Sequence, residues 1–472
     1  MSLRDDAIAI WSAGIAAVDS AKSVDQQIRV HLDQLWFADV RIQIPPTGRI
    51  EVVGAGKAGA GMASGIEAAL MATNFADRVS GWVNVPADCV RPLNHIHLHA
   101  ARPAGLNEPT QEAVNGTQEI LRRVQSLAES DVCIVLLSGG ASALLCSPVP
   151  GISLSDKLSV TRALAGTGAP IHELNLVRTQ LSQVKGGRLA AACGAGTLVA
   201  LIISDVIGDP LEVIGSGPTT PGVPRAADAL QVLRDRELLD RIPPHVVAFL
   251  ERTADDARAI DLKANPLVPR TLINRIVASN AIAIDAAAVK AEALGYEVES
   301  LGSANAGEAA EEGRQLMGRL LAIRTESGGT PQQSILDHQR RICILSGGEP
   351  TVNLSVRPDS SGVPASHGVK AARGGRNQEL VLAAITAHRD SADWNNTVLL
   401  SGGTDGEDGP TDAAGAIADE CLIARIAASG LDPDSYLAQH DSYTFFDAVD
   451  GLFKTGPTHT NVMDLRVGLR FL

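Results

Sequence analysis

Little in this chain is aromatic: Phe, Tyr and Trp together make up 3% of its 472 residues. A core with so few rings closes on Leu, Ile, Val and Ala, which suits helices laid close on sheets, and the 45 glycines suit loops that carry ligands. Positive charge is also scarce. A formal net charge of −14, with no basic stripe, speaks against a general binder of nucleic acid or acidic membrane. A small anionic ligand is not excluded, because local cations decide a small pocket. The six cysteines (Cys89, Cys133, Cys146, Cys193, Cys343 and Cys421) form no C-x-x-C pair, and they read as buried free thiols of a reducing compartment. Asp5 and Asp6 stand where a signal peptide would carry cations, and the longest apolar run, Leu198 to Ile203, is far short of a membrane span. A cytoplasmic protein with no membrane or nucleic-acid partner is expected. Hydrophobic residues at 45% suffice for packed cores, charged residues at 20% are too few for a disordered chain, and the length suggests two or three domains.

Strand and helix patterns alternate along the chain. The opening, DDAIAIWSAGIAAVDSAKSVDQQIRVHL, has helical spacing, and RIEVVGAGKAGAGMASGIEAAL then reads as strand, Gly-rich turn and helix. VSGWVNV, HIHLHA, DVCIVLLSGG and TLVALIISDV follow as strands, the last after a helical LVRTQLSQVKGGRLAAA. This order predicts a parallel, doubly wound sheet. Residues 226–270 are charged and helical and read as a border between a domain over 1–225 and a second α/β domain over 271–472. The second series runs RIVASN, AIAIDAAAVKAEALG, YEVESLGS, a polar loop SGGTPQQSILDHQ, RICILSGGEPTV, the helix NQELVLAAITAH and TVLLSGGTDGEDGPTDAAGAIAD. An apolar strand ends in Ser-Gly-Gly three times, at Ser138-Gly139-Gly140, Ser346-Gly347-Gly348 and Ser401-Gly402-Gly403. Ligands of open α/β sheets sit at the carboxyl ends of strands, so the three glycine pairs suggest backbone approaching a ligand.

Five segments could carry chemistry. Gly54, Gly56 and Gly59 match G-x-G-x-x-G between strand and helix, a turn that favours phosphate. The second strand ends Asn84-Val85-Pro86, without the carboxylate of a dinucleotide fold, and no Walker A sequence is present. Lys57 inside this turn adds a point charge for a carboxylate or phosphate, or is a solvated loop lysine. If LVRTQLSQVKGG is helical, Arg178, Ser182 and Lys185 share one face, which suits an anion or is an ordinary basic surface. Asp205 and Asp209, with GSGPT following, are strand-end aspartates that could hold magnesium beside phosphates or serve a turn. Asp405, Glu407, Asp408 and Asp412 crowd a glycine-rich segment that does not fit an EF-hand. Arg373 and Arg376 precede a helix, where arginine can neutralise a transferring phosphoryl group. The alternating His95, His97 and His99 share a strand face without a cysteine or carboxylate neighbour, and are expected to be surface rather than metal ligands. No G-x-S-x-G elbow supports a serine hydrolase.

Taken in order, the blocks GAGKAGAGM, LLSGGASALL, VRTQLSQVKGGRLA, ISDVIGDPLEVIGSGPT, SGGEPTV, GGRNQELVLA, SGGTDGEDGPTDAAGA and TGPTHTNVMDL resemble the glycerate 2-kinase family, also called the MOFRL family, over nearly the whole chain. The resemblance implies two Rossmann-like α/β domains with an interdomain cleft, and ATP- and magnesium-dependent phosphorylation of D-glycerate, or a close sugar acid, to 2-phosphoglycerate. It implies Lys57 and Arg376 as catalytic residues, expected to line the cleft with Asp205 or Asp405. Expected contacts to substrate or phosphate are Gly54, Gly56, Ser138, Gly139, Gly140, Ser142, Arg178, Lys185, Ser346, Gly347, Gly348, Glu349 and Asn377, with Asp205, Asp405 and Asp408 on the metal. The expected partners are the sugar acid and ATP, and a homodimer is left open. Three segments depart from the family pattern: Thr179-Gln180 replace a basic pair, Asn107-Glu108 stand in RPAGLNEPT, and His459 replaces a glycine. They bear on the substrate more than on the reaction class. Some members carry the label hydroxypyruvate reductase, so an NAD(P)-dependent reductase is the alternative, and a non-catalytic sugar-acid sensor is a third.

Overall fold

The computed structural model describes residues 2–31, 34–220, 222, 225–254, 269–323, 340–353 and 373–472. The polar segment SGGTPQQSILDHQ lies outside them. The chain forms two compact units, Asp19–Ser279 and Met1–Val18 with Asn280–Leu472. Among the described residues no helix is long and apolar enough to cross a membrane.

The Asp19–Ser279 unit carries a small antiparallel ribbon of β1 (Ile28–His31), β2 (Gln34–Phe37) and β3 (Val40–Ile42). The expected opening helix therefore stops early: helices cover Leu3–Ala17 and Ser20–Asp25, and Ile28–His31 pairs with β2 instead. The main sheet holds β4 (Ile50–Ala55), β5 (Val79–Pro86), β6 (Ile96–Arg102), β7 (Val132–Leu137), β8 (Thr197–Ile203) and β9 (Thr271–Ala278), in the order β6-β5-β4-β7-β8-β9. Every ladder in it is parallel. Strands β4 and β7 are buried along their whole length, as in a sheet covered on both faces: VCIVLL is apolar throughout, and the one charge in IEVVGA, Glu51, pairs with Arg123 (2.8 Å). The order is that of a doubly wound fold, whose switch point lies between the first strand and the fourth, here β4 and β7. The Lys57 turn and the first Ser-Gly-Gly leave from the carboxyl ends of those two strands.

Helices Leu154–Gly166, Ile171–Gln180, Ala226–Asp235 and Pro244–Ala254 close a separate apolar cluster that includes Val160, Leu164, Val177, Leu230 and Leu250. The expected border region, as far as it is described, thus packs inside this unit. The expected boundary near 271 moves to Ser279/Asn280, because Thr271–Ala278 finds its ladder on β8.

The other unit is built on β10 (Glu297–Ser300), β11 (Arg341–Gly348), β12 (Thr397–Gly403), β13 (Gly415–Asp419), β14 (Leu452–Phe453) and β15 (Asp464–Phe471), in the order β10-β11-β15-β12-β13-β14. Only β10 and β11 are parallel; the other four pairs are antiparallel. This sheet is mixed rather than doubly wound, because β15 inserts between β11 and β12. Alternate residues divide between two cores. Ile342, Ile344, Leu399 and Ala416 pack with residues of Ala309–Ala322 and Arg376–Ala387, while Cys343, Leu345, Leu400 and Ile417 pack with Leu3–Ala17 and Asn280–Ala293. The first helix belongs here: Trp11 donates to the Gly402 carbonyl (3.4 Å), and Tyr296 donates to Asp6 (2.8 Å).

Candidate functional site

In the first unit the turns leaving β4 and β7 are tied together. Lys57 N–H donates to the Gly139 carbonyl (2.8 Å) and Ala58 N–H to Ser138 Oγ (3.1 Å). Gly56 sits at φ 151°, and a Cβ there would lie 2.0 Å from Ser138 Oγ. Only glycine lets the two turns approach so closely. Gly54 faces the Leu136 carbonyl in the same way, so these glycines make room for protein. The Lys57 side chain is exposed, and its stem passes Gly140, where a Cβ would meet Lys57 Cγ at 3.5 Å and Arg102 Nη2 at 3.2 Å. Arg102, the last residue of β6, is buried; it donates to the Leu106 carbonyl and to Asn107 Oδ1 (3.2 Å), and its Nε has no hydrogen-bond partner among the described residues. Sequence reasoning missed this second cation, although it opens the RPAGLNEPT segment.

Arg178, Ser182 and Lys185 do not share a helical face. The helix ends at Gln180 because the following chain pairs elsewhere: Ser182 bridges to Pro148, and the Gly186 and Gly187 N–H groups donate to the Ser216 and Gly217 carbonyls. That departure drives Lys185 inward, to 1% exposure. Its Nζ donates to Ser216 Oγ (3.1 Å) and the Gly215 carbonyl (3.2 Å). Ser216 Oγ also contacts Ser142 Oγ (3.1 Å) and donates to Asn175 Oδ1 (3.3 Å). Burial pushes the Lys185 ammonium well below the usual lysine range, and the nearby Arg178 and Lys157 push it further. Arg178 is half-buried, with its pKa lowered by burial, and its guanidinium has no ion-pair or hydrogen-bond partner among the described residues. Asn175, Ser216 and Lys157 were not foreseen; of these only Ser216 lies in a segment the sequence singled out. Asp205, at the β8 exit, is half-buried, and Asp209 sits in a turn that its N–H closes on the Val206 carbonyl (3.1 Å).

In the second unit Arg376 opens the helix Arg376–Ala387. Its guanidinium grips Asp464 by Nε–Oδ2 (2.7 Å) and Nη2–Oδ1 (3.0 Å), and reaches Glu349 by Nη1–Oε1 (2.8 Å). Burial opposes its charge, but Asp464 and Glu349 outweigh burial and raise its pKa above the usual value. Asp464 is fully buried at the start of β15, beside the equally buried Arg466 (Nη2–Oδ2 3.8 Å). Arg466 Nη1 in turn donates to Ser346 Oγ (3.1 Å) and the Gly347 carbonyl (3.3 Å). Gly347 packs on Asn280, and Gly402 on Trp11, so these Ser-Gly-Gly copies also serve protein packing. The signal for Asp464 was the NVMDL block.

Asp408 has a different task from the one expected. Its carboxylate accepts from Asn377 N–H (3.0 Å), Asn377 Nδ2 (3.2 Å) and Gln378 N–H (2.8 Å), capping the Arg376 helix. Both oxygens accept hydrogen bonds and the residue is 2% exposed, so the carboxylate is engaged in holding the helix start. Burial pushes its carboxyl up to about 7 against the pull of those N–H donors. Asn377 Oδ1 accepts from Ser401 Oγ (2.6 Å). Asp405 Oδ1 accepts from Glu407 N–H (3.1 Å), and Asp412 pairs with Lys454 (2.9 Å) and Tyr443 (2.7 Å). The crowded carboxylates are therefore dispersed. Among the described residues no three His, Cys, Asp or Glu side chains gather as a ready metal site. His97 and His99 lie against Trp82 (4.2 and 5.1 Å), a stacked strand face, and His95 precedes the strand.

Residues 6–251 match a family described as a domain of unknown function, DUF4147, and residues 342–464 match the MOFRL family. A glycerate kinase of Danio rerio is 34% identical over 99% of this chain and 98% of its own. The human glycerate kinase is also 34% identical, over 98% of this chain and 92% of its own. A protein of Agrobacterium vitis whose provisional name is hydroxypyruvate reductase is 37% identical over 89% of this chain and 87% of its own. Among solved structures, a glycerate kinase from Thermotoga maritima superposes with a TM-score of 0.76 at 30% identity, covering 99% of both chains.

Proposed function

We propose, from the premise that this chain belongs to the glycerate kinase family, that it phosphorylates D-glycerate to 2-phosphoglycerate with ATP and magnesium. The observation that carries this is the cation set of the first unit. Lys57 lies beside Gly140 at the exit of β7, Ser142 two residues on contacts Ser216, and Ser216 accepts from the buried Lys185, whose charge is opposed by Arg178; no carboxylate pairs with any of the three cations among the described residues. Unpaired cations beside hydroxyls at a switch point suit a small oxyanion. Phosphoryl transfer asks a protein mainly for positioning and charge neutralisation. In this proposal Lys57 is a mobile point charge. Arg376, held by Asp464 and Glu349, is a pre-set fork for the transferring phosphoryl group. Asp205 in the first unit and Asp405 in the second are the strand-end carboxylates that each unit would offer to magnesium. Magnesium, when bound, neutralises phosphate charge.

The test is ADP release by the purified protein with D-glycerate, tartronate, threonate and erythronate, with the phosphorylated hydroxyl assigned by phosphorus NMR. Turnover with D-glycerate giving the 2-phosphate is the expected result. No ADP release on any acid, with hydroxypyruvate-dependent oxidation of NADH in its place, defeats the proposal in favour of the reductase.

A further inference from the structure

Lys157 sits badly for a structural lysine. It lies on Leu154–Gly166 at the fourth helical position, where the helix dipole disfavours a cation. It is 6% exposed, and its Nζ has no nitrogen or oxygen partner among the described residues. The acid next to it, Asp156, is turned to other work, bonding Ser153 and His245. The group beside Lys157 that favours its charge is the Cys146 thiol, while Arg178 and Arg188 repel it. Lys185, itself 1% exposed, feels Lys157 and Arg178 together. Arg188 is satisfied by the Thr179 and Ser182 carbonyls. Lys157, Lys185 and Arg178 therefore gather without a carboxylate partner among the described residues, the two lysines buried and Arg178 half-buried.

Such a cluster is unfavourable in the empty protein. Burying a lone ammonium without a partner costs free energy, and a protein that keeps several local conflicts in one place usually keeps them at a binding site. The hydroxyl and amide groups of Ser142, Ser216 and Asn175 line the same cluster through the contacts of Lys185 and Ser216. These donors suit oxygen atoms, and the missing ingredient is negative charge.

Resting on the kinase reading above, we propose that Lys157 is a positioning residue for an oxyanion subsite: with Lys185 it supplies buried positive charge behind Arg178, Ser142 and Ser216, and the carboxylate of the sugar acid or a phosphate of the nucleotide is the counter-ion. Arg178 makes the outer contact, and Lys157 acts through the field it adds rather than by touching the ligand.

The test is the pair of thermal stability and affinity in the full-length protein. Lys157→Met keeps the stem and removes the charge. The unliganded variant is expected to melt at or above wild type, because a repelled buried cation has gone. Its affinity for D-glycerate or for ATP, measured by calorimetry, is expected to fall about tenfold or more, the scale of one lost charge-assisted interaction. Loss for D-glycerate alone places the acid's carboxylate in the subsite; loss for ATP alone places a phosphate there. Glycerol, which has no carboxylate, is expected to give no thermal shift with either protein. A variant that is less stable than wild type and binds both ligands unchanged overturns the proposal, as Lys157 is then a structural lysine. If Lys157→Met fails to fold, Lys157→Gln is read by the same two criteria. Wild type that binds D-glycerate with this charge dependence yet releases no ADP keeps the subsite and removes the kinase reading, so the two fail separately.

Discussion

Replacing Asp464 with Asn changes one oxygen to an amide and removes one buried negative charge. Two cations face it. Arg376 loses a bidentate partner at 2.7 and 3.0 Å, but it is about a third exposed and keeps Glu349, so solvent screens its share. Arg466 has no such relief. It is 1% exposed, its Nε and Nη2 have no hydrogen-bond partner among the described residues, and Asp464 at 3.8 Å is the carboxylate that most favours its charge. Leaving a buried charge without its partner costs about 3–5 kcal/mol. We therefore expect Asp464→Asn to lower the unfolding free energy of the Asn280–Leu472 unit by about 3–5 kcal/mol, mostly through Arg466. Urea denaturation followed by the fluorescence of Trp11 and Trp394, both buried in this unit, measures it. Adding Arg466→Met removes the orphaned cation and should recover part of the loss, so the double variant is more stable than the single. A single variant within about 1 kcal/mol of wild type at unchanged m-value would refute the reasoning, since the buried carboxylate would then not be balancing Arg466.

Lys57→Ala should fold like wild type, because the side chain is exposed and the turn is held by backbone and Ser138, yet lose about 10²-fold in kcat/KM; activity within a few-fold returns Lys57 to a solvated loop residue. Because burial holds Asp408 near 7, the native protein keeps a proton that the unfolded chain releases from about pH 4 upward. This group's contribution to stability then falls as pH rises from about 4 to about 7, and urea midpoints across that range should flatten in Asp408→Asn. Turnover should need a divalent cation, with magnesium sufficient; full ADP release in excess EDTA contradicts the assignment of Asp205 and Asp405.

The first unit was the more legible of the two. Its central strands are buried on both faces, so VCIVLL and TLVALII stand out as apolar runs and IEVVGA is broken only by Glu51, and the glycine turn after it announced the doubly wound arrangement. The last strand was misassigned because its partner is not local: nothing in TLINRIVA says that it pairs with β8 rather than opening a new series. In the second unit DLRVGLRF gave no expected element, yet it is the strand that turns the sheet mixed and brings Asp464 to Arg376. Parallel and antiparallel buried strands share the same apolar signature, so periodicity could not separate them. Of the site, residues at strand exits were visible and residues that depend on tertiary burial were not. Lys157 follows Asp156 in LSDKLSV and looks like half of a surface pair; only the fold shows the acid turned outward and the lysine inward.

One contrast between the units bears on how anions are received. Arg376 and Arg466 share the carboxylate of Asp464, and Arg376 has Glu349 as well. An anion approaching Arg376 therefore competes with a half-exposed glutamate already in contact. Lys157, Arg178 and Lys185 have no such occupant among the described residues, so an anion meeting Arg178 displaces no protein carboxylate. In a chain of net charge −14, three neighbouring cations have no carboxylate partner among the described residues, although acidic side chains are plentiful. Folding stability favours a partner for a buried charge. Its absence is better accounted for by a counter-ion that arrives with the ligand. On this account the first unit binds by supplying charge that the ligand lacks, whereas Arg376 discriminates, since only an anion that satisfies the fork better than Glu349 can take its place.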